Sequence, residues 1–123
     1  MNLEKIYTQN HVWLETQNEE DFILGITDFA QEQLGDIVFV DLPDTGVKTQ
    51  AGKACAVVES VKSASDIICP VDGEIIAVND QLADDPELIN ESPYEKGWIV
   101  KIKAVEAYVI EGKMTWDEYN KQK

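Results

Sequence analysis

The feature that most restricts this chain is the brevity of its apolar runs, each a few residues long and cut by Gly, Pro, Asn or Asp. Such runs read as many short strands and leave no room for a long amphipathic helix. Residues 12–14 and 22–26 flank the polar Gln17-Asn18-Glu19-Glu20-Asp21, which predicts a first hairpin. Residues 37–42 form a run rich in β-branched residues, closed by Pro43-Asp44-Thr45-Gly46, a strong turn cluster. Residues 54–60, 66–69, 73–78 and 97–102 complete the expected strands. Their spacing predicts a mainly β, compact antiparallel barrel or sandwich.

Short helical pieces interrupt this pattern. Thr27 is placed to cap a helix over 28–34, with Asp28 at its positive end and Gly35 to stop it. Asp85-Pro86 predicts the cap and first position of a single turn through Ile89. Thr115-Trp116-Asp117-Glu118 fits a capping box that opens a last helix through Tyr119. At 123 residues the chain has room for one core, so a single domain over 1–123 is expected.

Composition acts mainly by exclusion. The chain carries 24 acidic against 10 basic residues, a formal charge of -14. That surface repels phosphate backbones and anionic lipid, so neither nucleic acid nor membrane is an expected partner. It keeps the protein soluble and suits brief docking onto basic rims. No apolar run approaches a bilayer span, and the start has neither signal-peptide nor transit-peptide character. The expected location is the cytoplasm, unless the chain is already trimmed. One histidine, His11, and two cysteines, Cys55 and Cys69, are too few for the usual four-ligand zinc site. No cysteine lies in a recognisable nucleophile motif, and two thiols without an export signal read as reduced core residues. Seven residues separate each from Lys62, so pairing register decides whether they are neighbours or face apart.

One lysine stands at the centre of Val57-Val58-Glu59-Ser60-Val61-Lys62-Ser63-Ala64-Ser65-Asp66-Ile67. An apolar strand enters this small polar segment and another leaves it, which predicts a hairpin tip with Lys62 exposed. A tip lysine offers four methylenes and an amine, so a group attached through an amide gains long reach and the positive charge is removed. Most tip lysines are simply solvated, and the hairpin by itself carries no more than that.

The stretch Glu59-Ser60-Val61-Lys62-Ser63-Ala64-Ser65-Asp66, followed by Pro70, Gly73-Glu74 and Val78-Asn79, closely resembles the lipoylation segment of glycine cleavage H proteins. Gly25-Ile26-Thr27-Asp28-Phe29-Ala30, Leu34-Gly35-Asp36-Ile37-Val38-Phe39-Val40 and Leu42-Pro43 resemble the family's upstream block. Pro86-Glu87-Leu88-Ile89-Asn90-Glu91-Ser92-Pro93-Tyr94 and Gly97-Trp98 resemble its downstream loop. The likeness runs from Tyr7 through Ile102. It fades over 104–123, a helical extension in which Trp116-Asp117-Glu118-Tyr119 matches only loosely.

The resemblance implies a hybrid antiparallel barrel-sandwich of the lipoyl-domain kind, with lipoate in amide linkage on Lys62. It implies a non-catalytic carrier in glycine catabolism and one-carbon metabolism. Its partners would be a glycine decarboxylase (P protein), an aminomethyltransferase (T protein), a dihydrolipoyl dehydrogenase (L protein) and a lipoate ligase or lipoyltransferase. Glu59 would serve recognition by the lipoylating enzyme. Asp66 would pair with the loaded amine, and His11 would border the arm. Glu59 and Asp66 also fit a plain role as exposed strand charges, and His11 and Trp13 as strand residues beside the core. The chain departs from the family at His11-Val12-Trp13, where His-Glu-Trp is usual, because valine can neither accept a hydrogen bond nor balance an ammonium. Valine there raises a second reading, a lipoyl relay that hands lipoate to 2-oxoacid dehydrogenases. A biotinyl carrier is disfavoured because Lys62 lies between Val61 and Ser63, not between methionines. A 2-oxoacid dehydrogenase lipoyl domain lacks the 25–39 block, and an independent enzyme lacks a nucleophile–base pair.

Overall fold

The computed structural model describes residues 5–8, 10–16, 21–103, 118, 119 and 121. Among the described residues, nine strands form two antiparallel sheets. β1 (Lys5–Tyr7), β2 (Val12–Thr16), β3 (Asp21–Ile26), β9 (Val100–Lys103), β8 (Gly73–Val78) and β5 (Lys48–Thr49) lie side by side in that order. β4 (Ile37–Asp41), β6 (Lys53–Ser60) and β7 (Ala64–Cys69) make the second sheet, with β6 in the middle. The predicted hairpin is β2–β3, in register from Val12 opposite Ile26 to Thr16 opposite Phe22.

The sheets enclose one apolar core. Leu14, Leu24, Ile75, Val100 and Ile102 enter it from the larger sheet, and Ile37, Val40, Ala56, Val58 and Ile67 from the smaller. Alternation does the sorting: in β3, Phe22, Leu24 and Ile26 are buried while Asp21 and Ile23 are only partly so. Each fully buried aliphatic or aromatic side chain of this kind contributes about 1.5–3 kcal/mol relative to leaving it in water. The larger sheet is covered on its other face too. Tyr7, Trp13 and Tyr119 form a second buried cluster, with Tyr94 and Trp98 against it. Trp13 lies over Gly25, its partner across β2–β3, where a Cβ would stand 2.8 Å from the indole. A bare backbone is what lets that ring lie flat.

Helix α1 (Asp28–Leu34) is the element that the sequence defines most sharply. The Thr27 hydroxyl accepts from the Ala30 N–H at 3.2 Å, and Gly35 ends the helix at φ 83°. Two further single turns, α2 (Gln81–Asp84) and α3 (Leu88–Glu91), bury Leu82 and Ile89 in the core. Among the described residues no helix is long and apolar enough to cross a membrane.

Some expectations need correction. Asp85 stands at the C-terminal cap of α2, and although its carbonyl accepts from the Leu88 N–H, the following helix starts only at Leu88. The strand expected over 97–102 begins at Val100, because 93–97 are taken up by turns that pack Gly97 against the backbone of α3. Thr115 to Asp117 of the expected capping box lie outside the described residues, and Glu118 and Tyr119 are helical.

Candidate functional site

Strands β6 and β7 pair from Lys53 opposite Cys69 to Glu59 opposite Ala64, and the turn beyond them carries Lys62. That turn is closed by its own atoms. The Ser60 N–H donates to the Ser63 carbonyl at 2.7 Å, and the Ser60 hydroxyl donates to the same carbonyl at 3.1 Å. The hydroxyl oxygen also accepts the N–H groups of Lys62 and Ser63, each at 3.1 Å. A serine entering the turn thus supplies side-chain bonds that would otherwise need the solvent.

The tip is anchored at its root. The Val61 N–H donates to the Asp36 carbonyl at 3.0 Å, which fastens the turn to the link between α1 and β4. Asn90 of α3 locks that link: its amide donates to the Gly35 carbonyl at 2.9 Å and to the Gln31 side chain at 2.8 Å. Its oxygen accepts the Ile37 N–H at 2.9 Å. Lys62 itself is exposed and runs over Gly35, where an added Cβ would meet its Cε at 3.2 Å. Among the described residues the Lys62 ammonium has no hydrogen-bond or ion-pair partner. An anchored backbone with an unengaged amine fits an acyl group joined there through an amide, since among the described residues acylation displaces no hydrogen bond or ion pair.

The other expected site residues divide into two groups. Glu59 and Asp66 are both exposed and lie on the outer face of the smaller sheet. There Phe39, Glu59 and Ala64 form one cross-strand row, and Asp41, Val57 and Asp66 the next. His11 lies elsewhere. At φ 62° its ring meets Phe29, with centroids 4.8 Å apart, and its Nδ1 shares a 2.7 Å hydrogen bond with the Tyr119 hydroxyl. That hydroxyl also bonds Thr27 Oγ1 at 2.7 Å, so His11 belongs to the N-terminal end of α1, whereas Lys62 lies over its C-terminal end. Val12 is buried in the central core with 1% of its surface exposed.

The two thiols come together because β6 bulges between Ala54 and Ala56. Both cysteines are free, and Cys69 is fully buried. The Cys55 thiol donates to the Ile67 carbonyl at 3.6 Å and the Cys69 thiol to the Val71 carbonyl at 3.2 Å, and contact with Cys69 together with burial pushes Cys55 up.

The bulge in β4 and the buttress at Asn90 were missed from sequence. The bulge leaves no signal of its own, because Ile37-Val38-Phe39-Val40 is one unbroken apolar run.

Fold and tip together define a class: a small two-sheet β protein that displays a lysine on a self-closed, anchored turn. The family model described as glycine cleavage H-protein matches residues 5–123. The chain is 55% identical over 105 residues to a glycine cleavage system H protein of Enterobacter sp. (strain 638), covering 85% of this chain and 81% of that one. It is 59% identical over 98 residues to that of Cronobacter sakazakii, covering 80% and 76%. The crystal structure of a glycine cleavage system H protein from Mycobacterium marinum superposes with a TM-score of 0.89 at 35% identity, over 99% of this chain and 98% of that one. This chain belongs to the glycine cleavage H-protein family.

Proposed function

We propose that this protein is the lipoyl-bearing carrier of a glycine cleavage system, with the arm on Lys62. The observation that carries the reading is the Lys62 amine, unengaged at the end of a turn anchored by Ser60, Asp36 and Asn90. Membership of the H-protein family supports it. When bound, lipoate supplies a disulfide that can be reduced, loaded and reoxidised. The chain itself positions the amide, holds the tip rigid and performs no catalysis. The work falls to partners: a glycine decarboxylase loads an aminomethyl group, an aminomethyltransferase removes it, and a dihydrolipoyl dehydrogenase restores the disulfide. Asp66 offers a carboxylate to the loaded amine from the same hairpin, and Glu59 marks the approach to Lys62. His11, held by Tyr119 at the far end of α1, would border the arm where it extends along that helix. As a carrier among soluble enzymes it would work in the cytoplasm.

Intact mass after incubation with lipoate, ATP and a lipoate ligase tests this. One lipoyl increment is expected on the wild type and none on Lys62→Ala, whose melting stays within ~0.5 kcal/mol of wild type because the side chain is exposed. An unmodified wild type, in conditions that modify a control H protein, would sink the carrier reading.

A second reading rests on Val12. The position where the family usually has glutamate is here a core residue with 1% exposure, which removes one group expected to hold a loaded amine. A relay that receives lipoate and passes it to 2-oxoacid dehydrogenases needs Lys62 but not that carboxylate. Glycine-dependent reduction of the arm by the decarboxylase separates the two: its presence supports the shuttle, its absence the relay.

A further inference from the structure

Exposure of large apolar side chains is concentrated in one place. Val38 is 53% exposed, Phe39 52% and Val61 66%, and all three lie at the Lys62 end of the smaller sheet. The β4 bulge between Ile37 and Phe39 is the cause. It turns two successive residues outward while Ile37 and Val40 on either side stay buried. Val61 follows two residues after Glu59, the residue that Phe39 faces across the sheet, and immediately precedes Lys62. Single exposed apolar residues are ordinary, but three grouped beside an unengaged lysine are a surface that water solvates poorly.

The surroundings of this ledge are of one sign. Asp36, Asp41, Glu59 and Asp66 are all exposed and, among the described residues, none is in an ion pair. Apart from Lys62, the only lysine on these three strands is Lys53, at the opposite end of β6. An apolar centre with an acidic rim fits a partner face with an apolar seat and basic edges.

We propose that Val38, Phe39 and Val61 form the docking ledge for the enzyme that acylates Lys62, a lipoate ligase with such a face. This rests on the carrier reading above. Proximity selects this partner over those that act on a loaded arm. Those meet the far end of a long flexible tether, whereas the acylating enzyme must reach Nζ itself and therefore press against the tip. In the step served, the neutral Lys62 amine forms a C–N bond to the carbonyl of a lipoyl adenylate made from lipoate and ATP. The acyl C–O bond breaks, AMP leaves, and the amine's proton passes to solvent.

The test uses the full-length unmodified protein, a lipoate ligase, lipoate and ATP, with Phe39→Ser, Val61→Ser and the double variant. Val47→Ser is the control: Val47 is 44% exposed but lies beside β5, where its carbonyl accepts from Ile75. Expected is a rise in KM for the carrier of about tenfold in Phe39→Ser and more in the double variant, with kcat within about twofold. The Kd for the ligase, measured by calorimetric titration without ATP, should weaken in parallel, with melting temperature and Val47→Ser both unchanged. Wild-type KM should rise with salt, since the acidic rim is screened. A KM and Kd within twofold of wild type in the double variant overturn the ledge alone, whereas a wild type that is not lipoylated overturns the carrier reading and the ledge with it.

Discussion

The two ends of α1 are built in opposite ways. At its N-terminal end, side chains do the holding: Thr27, Tyr119 and His11 are joined through one hydroxyl, Tyr94 accepts the Asp28 N–H, and Tyr7 stacks on Tyr119 with centroids 5.4 Å apart. At its C-terminal end it is mainly main-chain groups that are held. Gly35, Asp36 and Ile37 are tied through main-chain groups to Asn90 and Val61, and the Lys62 side chain only runs across the top. Rings and shared hydroxyls fix a structure by filling space, so they leave nothing free to react. Main-chain bonds fix position equally well and leave the side chains available. A carrier needs both ends, one that stays shut and one that is rigid in backbone yet open in chemistry.

Either end of α1 can be disturbed alone. Tyr119→Ala removes a fully buried ring and both hydroxyl bonds, and should cost about 3 kcal/mol in urea unfolding. Its rate of lipoylation well below the melting point should match wild type. A slow rate in folded protein would show that the two ends are not independent. Gly35→Ala should cost about 1–2 kcal/mol, because φ 83° with ψ −157° is a region that other residues scarcely enter. The new methyl also crowds Lys62 Cε, so this variant, unlike Tyr119→Ala, should slow lipoylation. An unchanged rate would mean that the lysine does not depend on that bare backbone. The smallest effect concerns pH. Burial, helped by neighbouring Tyr94 and Glu15, raises Tyr7 to about 12. A raised acid keeps its proton longer in the folded protein, so its contribution is complete below pH 10 and is lost as pH rises through about 12. Melting curves across that window should fall less steeply for Tyr7→Phe than for wild type, and a parallel fall would assign the loss to other groups.

How far the sequence revealed this fold depended on range. α1 was legible because its stop and start are local: Thr27 satisfies an N–H three residues on, and Gly35 alone accepts its backbone angle. β8 was legible to the residue, bracketed by the Pro70-Val71-Asp72 turn and Asn79. β1 and β5 were not foreseen, since three and two residues carry too little pattern to register. They are strands because neighbours hold them: the exposed Lys48–Glu74 pair at 2.7 Å joins β5 to β8, and Tyr7 opposes Trp13. α2 likewise lacks a capping side chain, and forms because Leu82 reaches the core. At the site, any role for Lys62 came only from the family resemblance, while its exposed position in its turn was readable from the flanking strands. The gathering of Tyr7, Trp13, Tyr94 and Tyr119 was not, because it depends on chain segments far apart in sequence.

The Ser60 hydroxyl, with its bonds to Lys62 and Ser63, has a consequence for the life of the protein in the cell. Because the turn is complete without its lysine side chain, bare and decorated forms should unfold with equal ease. Proteases and chaperones, which sort proteins by how often they open, would then have no means of telling the two apart. If Lys62 carries the arm, a pool of undecorated copies would accumulate and wait, and the supply of arms rather than turnover would set the working fraction.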